Sequence, residues 1–261
     1  MFFDSHCHLD DPRLLPRLAA FIAEAEAAGI AGFLVPGVAP EGWQTISELS
    51  AAFPQIVPAF GVHPMHAQLL TPSTLSELRH LSRSAAAIGE IGLDYSLATP
   101  DRQTQQDAFR AQLSLAREAG LPVLIHCRKA FGDLLEILQE EGIERFGGVM
   151  HAFSGSLETA RACLRLGLHI SLAGSVTYDN ARRPLAVAAR VPLERLLLET
   201  DAPDLAPEPY RGGVNRPVYL LATARRVAEI RGVTLEELAR ATTGNAGRLF
   251  KPAVSRQPPR P

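Results

Sequence analysis

Six side chains of the types that hold metal ions or move protons recur at one kind of place in this sequence. His6, His8, Glu90, His126, His151 and Asp201 each fall late in a short apolar run. His6 and His8 are two residues apart, so on an extended strand they share a face while Cys7 points the other way. Glu90 lies within Ala-Ile-Gly-Glu-Ile-Gly-Leu-Asp-Tyr, where an unanswered buried charge would cost several kcal/mol. No Arg or Lys occurs among the strand residues before Arg128 to answer it. His126, in Leu-Ile-His-Cys-Arg, and His151, in Val-Met-His-Ala-Phe, would singly read as hydrogen-bonded core histidines. Together with Asp201 the set supplies four imidazoles and two carboxylates. Six donors would saturate one ion, whereas two ions sharing a carboxylate, for which Glu90 is suited, each keep open positions for water and substrate. Two divalent ions are therefore expected, and the donor chemistry admits zinc, manganese or magnesium.

The elements that must position these groups alternate. Eight apolar runs read as strands, at residues 2–9, 32–38, 57–64, 86–94, 122–128, 148–154, 169–175 and 196–203. Amphipathic stretches between them, such as 102–119 and 130–141, repeat apolar residues every three to four positions. Gly29, Gly120, Gly142 and Gly167 stand where left-handed C-caps would end helices. Further helices are expected after Gly213 and over 234–249. The reading is α/β, a (β/α)8 TIM barrel with its active site at the C-terminal strand ends, and 261 residues match one such domain. A doubly wound open sheet is disfavoured, because no Gly-x-Gly-x-x-Gly follows the first strand and no Walker loop occurs. One domain is expected over residues 1–250, with 251–261, which hold four prolines, a frayed tail.

Composition narrows the function. The formal charge of −2, from 26 basic and 28 acidic residues, excludes nucleic-acid binding by bulk electrostatics, so any such role must be local. No apolar run approaches the ~18 residues needed to cross a bilayer. Met1-Phe2-Phe3-Asp4 lacks the basic region of a signal peptide, and a cytoplasmic protein is expected. Cys7, Cys127 and Cys163 form no Cys-x-x-Cys pair, which argues against a disulfide framework or thiolate zinc site; Cys7 and Cys127 are expected to pack outward as small hydrophobes.

Arg128 is two residues after His126, on the same face, and its planar fork could clamp a phosphate; a surface ion pair is the plainer reading. Glu199, two before Asp201, is placed to orient a ligand histidine. Tyr210 and Arg211 read as a solvated loop at the mouth, and His66, His80 and His169 are assigned no role. Asp201 is the candidate to orient and deprotonate the attacking water.

The order of these motifs resembles the TatD-like metal-dependent deoxyribonucleases of the amidohydrolase superfamily. The matching segments are Phe2-Phe3-Asp4-Ser5-His6-Cys7-His8-Leu9-Asp10, Gly61-Val62-His63-Pro64, Gly89-Glu90-Ile91-Gly92-Leu93-Asp94, His126-Cys127-Arg128, His151-Ala152-Phe153-Ser154-Gly155 and Glu199-Thr200-Asp201-Ala202-Pro203. The resemblance implies a (β/α)8 barrel with a two-metal phosphodiesterase site acting on DNA ends or single strands. It implies that His6, His8 and Asp201 hold one ion, His126 and His151 the other, that Glu90 bridges, and that His63 contacts the scissile phosphate. It departs at Asn215-Arg216-Pro217, where many members read Asn-Glu-Pro, so a substrate contact or helix start is expected to differ there. Two other functions fit a similar barrel. One is metal-dependent hydrolysis of an ester or amide, including aminoacyl-tRNA. The other is a non-enzymatic metal-binding scaffold, which would predict lost ligands.

Overall fold

Eight apolar runs form strands in the computed structural model, which describes residues 1–250. They are β1 (Phe2–Asp4), β2 (Ile30–Pro36), β3 (Ile56–Phe60), β4 (Ala87–Asp94), β5 (Val123–Arg128), β6 (Gly148–Met150), β7 (His169–Leu172) and β8 (Leu196–Leu198). The helices are α1 (Leu18–Ala27), α2 (Trp43–Ala52), α3 (Pro72–Leu81), α4 (Arg102–Ala119), α5 (Phe131–Glu140), α6 (Leu157–Arg165), α7 (Arg182–Arg190), α8 (Leu220–Arg231) and α9 (Leu235–Leu249). All strands belong to one parallel sheet in the order β1 through β8, the (β/α)8 architecture. The expected tail at 251–261 lies outside the described residues.

Parallel strands covered on both sides are buried along their length, and all eight residues of β4 are, the carboxylates Glu90 and Asp94 included. Helix ends follow local chemistry. The Asp101 carboxylate accepts the Thr104 N–H at 2.8 Å to start α4, and Gly120, at φ +64°, closes it.

The described residues fall into two compact units, Met1–Val35 with Met150–Ala246, and Pro36–Val149 with residues 247–250. In the first unit, β1 pairs with β2 and β7 with β8. The Ser5 N–H donates to the Leu198 carbonyl at 3.1 Å, joining the end of β1 to β8.

In the second unit, β3 pairs with β4 and β4 with β5, in a register that sets Gly92 beside His126 and Asp94 beside Arg128. Gly92 is at φ +144°, and a Cβ there would overlap the His126 carbonyl oxygen, so only glycine lets β5 carry His126 this close. Two glutamines seven apart on the buried face of α4 hold strand ends. The Gln112 carboxamide accepts the Val62 N–H at 2.7 Å and donates to the Val62 carbonyl at 3.0 Å. Gln105 does the same for Asp94, at 2.8 and 3.1 Å. Each replaces the backbone partner that a strand end lacks.

Most strands are shorter than the sequence suggests. The expected strands at 2–9, 148–154 and 196–203 stop at Asp4, Met150 and Leu198. His6, His8, His151 and Asp201 consequently stand in the segments that follow strands, because there the backbone leaves the ladder to form turns.

Replacing Gln112 with Leu should strand both polar groups of Val62 in an apolar setting and lower stability by about 1–3 kcal/mol. A melting temperature reduced by several degrees would bear this out, at roughly 2–4 °C per kcal/mol for a chain of this size. An unchanged midpoint would show that the carboxamide is dispensable.

Candidate functional site

In the first unit, the segment after β1 continues the alternation of a strand without its ladder. The Cys7 N–H donates to Leu34 on the β2 side at 3.0 Å, whereas His6 accepts the Asp201 N–H at 2.9 Å and the His8 N–H donates to Ala202 at 2.8 Å. His6 and His8 therefore share a side, as their spacing predicts, and Cys7 takes the other, buried so completely that its thiol titrates well above its ordinary value.

The imidazoles converge. His6 Nε2 and His8 Nε2 are 3.2 Å apart and lie 3.7 and 3.6 Å from Asp201 Oδ1, and the His6 ring stacks on His151 with centroids 4.0 Å apart. Burial opposes ionisation of Asp201, but His8, His151 and His6 outweigh it and hold the carboxyl below its ordinary value. His6, His151 and Glu199 offer ligand atoms all within 4.8 Å of one another.

Glu199 is wholly buried. Its Oε1 accepts the Ala152 N–H at 2.5 Å and lies 3.5 Å from His151 Nδ1, while Oε2 is buried with no hydrogen-bond partner among the described residues. The placement expected for it, against a histidine, is what the structure has. Asp201 and Ala152 also adopt left-handed backbone, at φ +57° and +39°. Strained residues of this kind persist where surrounding structure over-determines them, which is common at functional sites.

The second unit holds another group. His126 Nδ1 is 3.0 Å from Glu90 Oε1, and His63 Nε2 is 3.5 Å from the same oxygen. His63, Glu90 and His126 again bring ligand atoms within 4.8 Å. Imidazoles, not Arg or Lys, thus face the buried carboxylate here. His63 Nδ1 accepts the Met65 N–H at 3.1 Å, so the neutral ring carries its proton on Nε2, toward Glu90. His126 Nε2 lies 3.4 Å from Asp94 Oδ2. Burial opposes ionisation of Asp94, yet hydrogen bonds from His126 and from the Ser96 hydroxyl and N–H keep its carboxyl far below the usual range.

Arg128 ends β5 exposed, and no ion pair engages it among the described residues, so the surface-pair reading is not what the structure shows. Tyr210 is exposed; Arg211 reaches Glu208 at 3.7 Å and lies over the Tyr178 ring. Cys127, expected to pack outward, is half-buried.

Three supporting residues lie outside the six donors that the sequence singles out. Asp4 accepts from the Thr200 hydroxyl at 2.5 Å, the Thr200 N–H at 2.9 Å and the His6 N–H at 3.3 Å, tying the segments that carry His6 and Asp201. Its burial pushes the carboxyl up to about 8. Asn215 is buried and donates through Nδ2 to the carbonyls of Thr200 at 2.8 Å and Asp204 at 2.7 Å, bracketing Asp201. Asp94 is the third. The available signal was a polar residue inside or beside an apolar motif, which does not say whether it touches a ligand or a backbone. Arg216, the departure noted above, faces away from this bracket: it pairs with Glu24 of α1 and lies over Phe21 and Tyr219.

A family model described as TatD related DNase matches residues 3–251. The chain belongs to that family. It is 40% identical over 253 residues to the Bacillus subtilis (strain 168) protein named uncharacterized metal-dependent hydrolase YabD, covering 96% of this chain and 99% of that one. It is 38% identical over 258 residues to the like-named YcfH of Escherichia coli (strain K12), covering 97% of both. The crystal structure of YjjV, a TatD homolog from Escherichia coli K12, superposes with a TM-score of 0.91 at 33% identity, over 96% of this chain and 98% of that one. The fold class of this TatD-family chain is thereby that of a (β/α)8 barrel. Among the described residues no helix is long and apolar enough to cross a membrane.

Asn215→Ala should orphan two buried carbonyls and lower stability by about 1–3 kcal/mol, whereas Arg216→Ala, which removes a partly exposed pair and the contacts with Phe21 and Tyr219, should lower it by less, by about 1 kcal/mol or below. Thermal or urea unfolding of both variants measures the contrast, and equal losses would deny Asn215 its bracketing role.

Proposed function

We propose that this chain hydrolyses phosphodiester bonds of nucleic acid, DNA at accessible ends or in single strands, with two divalent ions per chain. Membership of the TatD family makes it a metal-dependent hydrolase. The phosphodiester activity is the finer step, and the observation that carries it is the pair of histidine and carboxylate groups, one in each unit, each drawn within 4.8 Å.

The residues fit a divalent ion. Imidazole nitrogens and carboxylate oxygens crowd together, and among the described residues the buried Glu199 Oε2 has no hydrogen-bond donor. That donor set suits zinc or manganese, and magnesium where water and phosphate complete the shell. His6, His8, Glu90, His126, His151 and Asp201 are the residues that would hold the ions, and the bridging role read for Glu90 is part of this proposal. Bound there, they would supply Lewis acidity that lowers the pKa of water and offsets charge on the phosphate.

The chain's own groups do the rest. Asp201, kept ionised by its histidine neighbours and 14% exposed at its side chain, can accept a proton from water. His63, with its proton held on Nε2, can donate to a phosphate oxygen. Arg128, which no ion pair engages among the described residues, offers a planar fork for two phosphate oxygens. Glu199 and Asp4 orient His151 and the segments carrying His6 and Asp201. All six donor positions are filled, which disfavours a scaffold that has lost its chemistry.

Release of nucleotides from short single-stranded DNA should depend on divalent metal and stop with chelator, and elemental analysis should find two ions per chain. Faster hydrolysis of a simple carboxylic ester than of DNA would replace the proposal with the ester reading. Asp201→Asn should reduce turnover at saturating metal by at least ~10²-fold, the scale for losing a positioned base; near wild-type turnover would remove it from the mechanism. Arg128→Met should lower kcat/KM on DNA by about ten- to a hundred-fold while sparing a neutral ester, and equal losses on both would mean that it supports the fold instead.

A further inference from the structure

The loop that follows Asp201 contains a leucine where leucine is disfavoured. Leu205 has φ of +49°, in the left-handed region that residues with a Cβ occupy at a cost, and its side chain remains substantially exposed. Neither property helps folding.

The surroundings force it. Gly174 approaches so closely that a Cβ there would overlap the Leu205 carbonyl oxygen. The Tyr178 hydroxyl donates to the Ala206 carbonyl at 3.0 Å, Thr177 Oγ1 accepts the Glu208 N–H at 2.8 Å, and Asn215 holds the Asp204 carbonyl. Arg211 lies over the Tyr178 ring from outside. Strain fixed by this many ties points to a use for the side chain it presents.

Leu205 borders a cleft of about 390 Å³, together with Pro203, Ala206, Val214, Tyr178 and Arg13. Val214 is 47% exposed, so two of the apolar residues that line the cleft are open to solvent. The segment that lines the cleft is tied to the candidate site by the backbone: Pro203 and Asp204 follow Asp201 directly, and the Asp204 N–H donates to the Asp201 carbonyl at 2.9 Å. The charge of the cleft does not suit a phosphate. Arg13 is already forked between Asp11 and Asp204, at 2.8 to 3.2 Å through its N–H groups and backbone, and the Asp204 side chain is 63% exposed. Apolar walls with an acceptor at the rim suit a flat heterocycle that carries N–H groups at its edge.

We propose that this cleft receives a nucleobase of a single-stranded substrate, beside the phosphodiester that is cleaved, and that Leu205 is the wall against which it packs. The inference rests on the phosphodiesterase reading. Contact through the face of a base tolerates any sequence, because every base has one.

The test compares a short single-stranded oligonucleotide with counterparts carrying an abasic residue at the 3′ or the 5′ terminal position, using the full chain with metal. Wild type should cleave one abasic counterpart with kcat/KM reduced on the order of ten-fold or more, the scale of a lost base contact. Leu205→Asn is the matched variant, since asparagine tolerates left-handed backbone and should leave the melting temperature unchanged or higher. It should slow cleavage of the intact strand to about the abasic rate, with the abasic rate itself little altered. Equal rates of wild type on intact and abasic strands would overturn the subsite, as would a Leu205→Asn enzyme that keeps full discrimination or loses both rates alike. Failure of wild type to cleave any of the strands, with an ester hydrolysed, would instead overturn the phosphodiester reading and the subsite with it.

Discussion

An ionisable group set at the end of an apolar strand is destabilising by several kcal/mol unless its neighbours answer it, and much of this structure is the answer. Glu90 meets His63 and His126; Asp94 meets His126 and Ser96; Asp201 meets His6 and His8; Glu199 meets the Ala152 N–H and His151. Imidazole serves where a guanidinium or ammonium would end the matter. An Arg beside Glu90 would neutralise it permanently and leave no lone pair to offer, whereas a histidine can present a nitrogen lone pair once its proton is elsewhere. The same choice that keeps the carboxylates tolerable keeps them available.

The backbone poses the parallel problem. Strands that stop early free N–H and C=O groups at the depth where the ionisable residues stand, and buried carboxamides and carboxylates satisfy them. Gln112 and Gln105 act from α4, Asn215 from the loop after β8, and Asp4 from the end of β1. None of these four needs to touch a substrate. Their effect is to fix Val62, Asp94, Thr200 and His6, each of which is, adjoins or contacts a residue proposed above for the site, and such support decides whether a site is held to within a fraction of an ångström.

How much of this could be read from the sequence varies with range. Alternating apolar runs and amphipathic stretches gave eight strands and the helix at 102–119 because those patterns are local consequences of burial. Glycines at 29, 120, 142 and 167 marked helix ends because positive φ is a property of one residue. The types and spacing of His6 and His8 foretold a shared side, although the residues lie beyond β1, since alternation outlives the ladder for three more residues. The strand ends were misjudged because apolar character continues through Phe153 and Ala202 after the pairing stops. Gln105, Gln112, Asp4 and Asn215 are illegible for a different reason: a buried amide or carboxylate looks in sequence like a surface one, and their partners are 11, 50, 196 and 15 residues away.

The substitution within the Asn-Arg-Pro segment shows how such distances bear on a motif. Asn215 and Arg216 are adjacent, yet the first turns inward to hold the carbonyls around Asp201 and the second turns outward to Glu24 and the rings of Phe21 and Tyr219. A cation at 216 is stabilised by the carboxylate of α1 and by two aromatic faces, an environment that would repel a carboxylate beside Glu24. Change at 216 can therefore be absorbed by α1 without moving the loop, provided that Asn215 keeps its two bonds. A motif departure bears on chemistry only through the atoms its side chain meets, and here those atoms belong to Glu24 and Phe21 of α1 and to Tyr219.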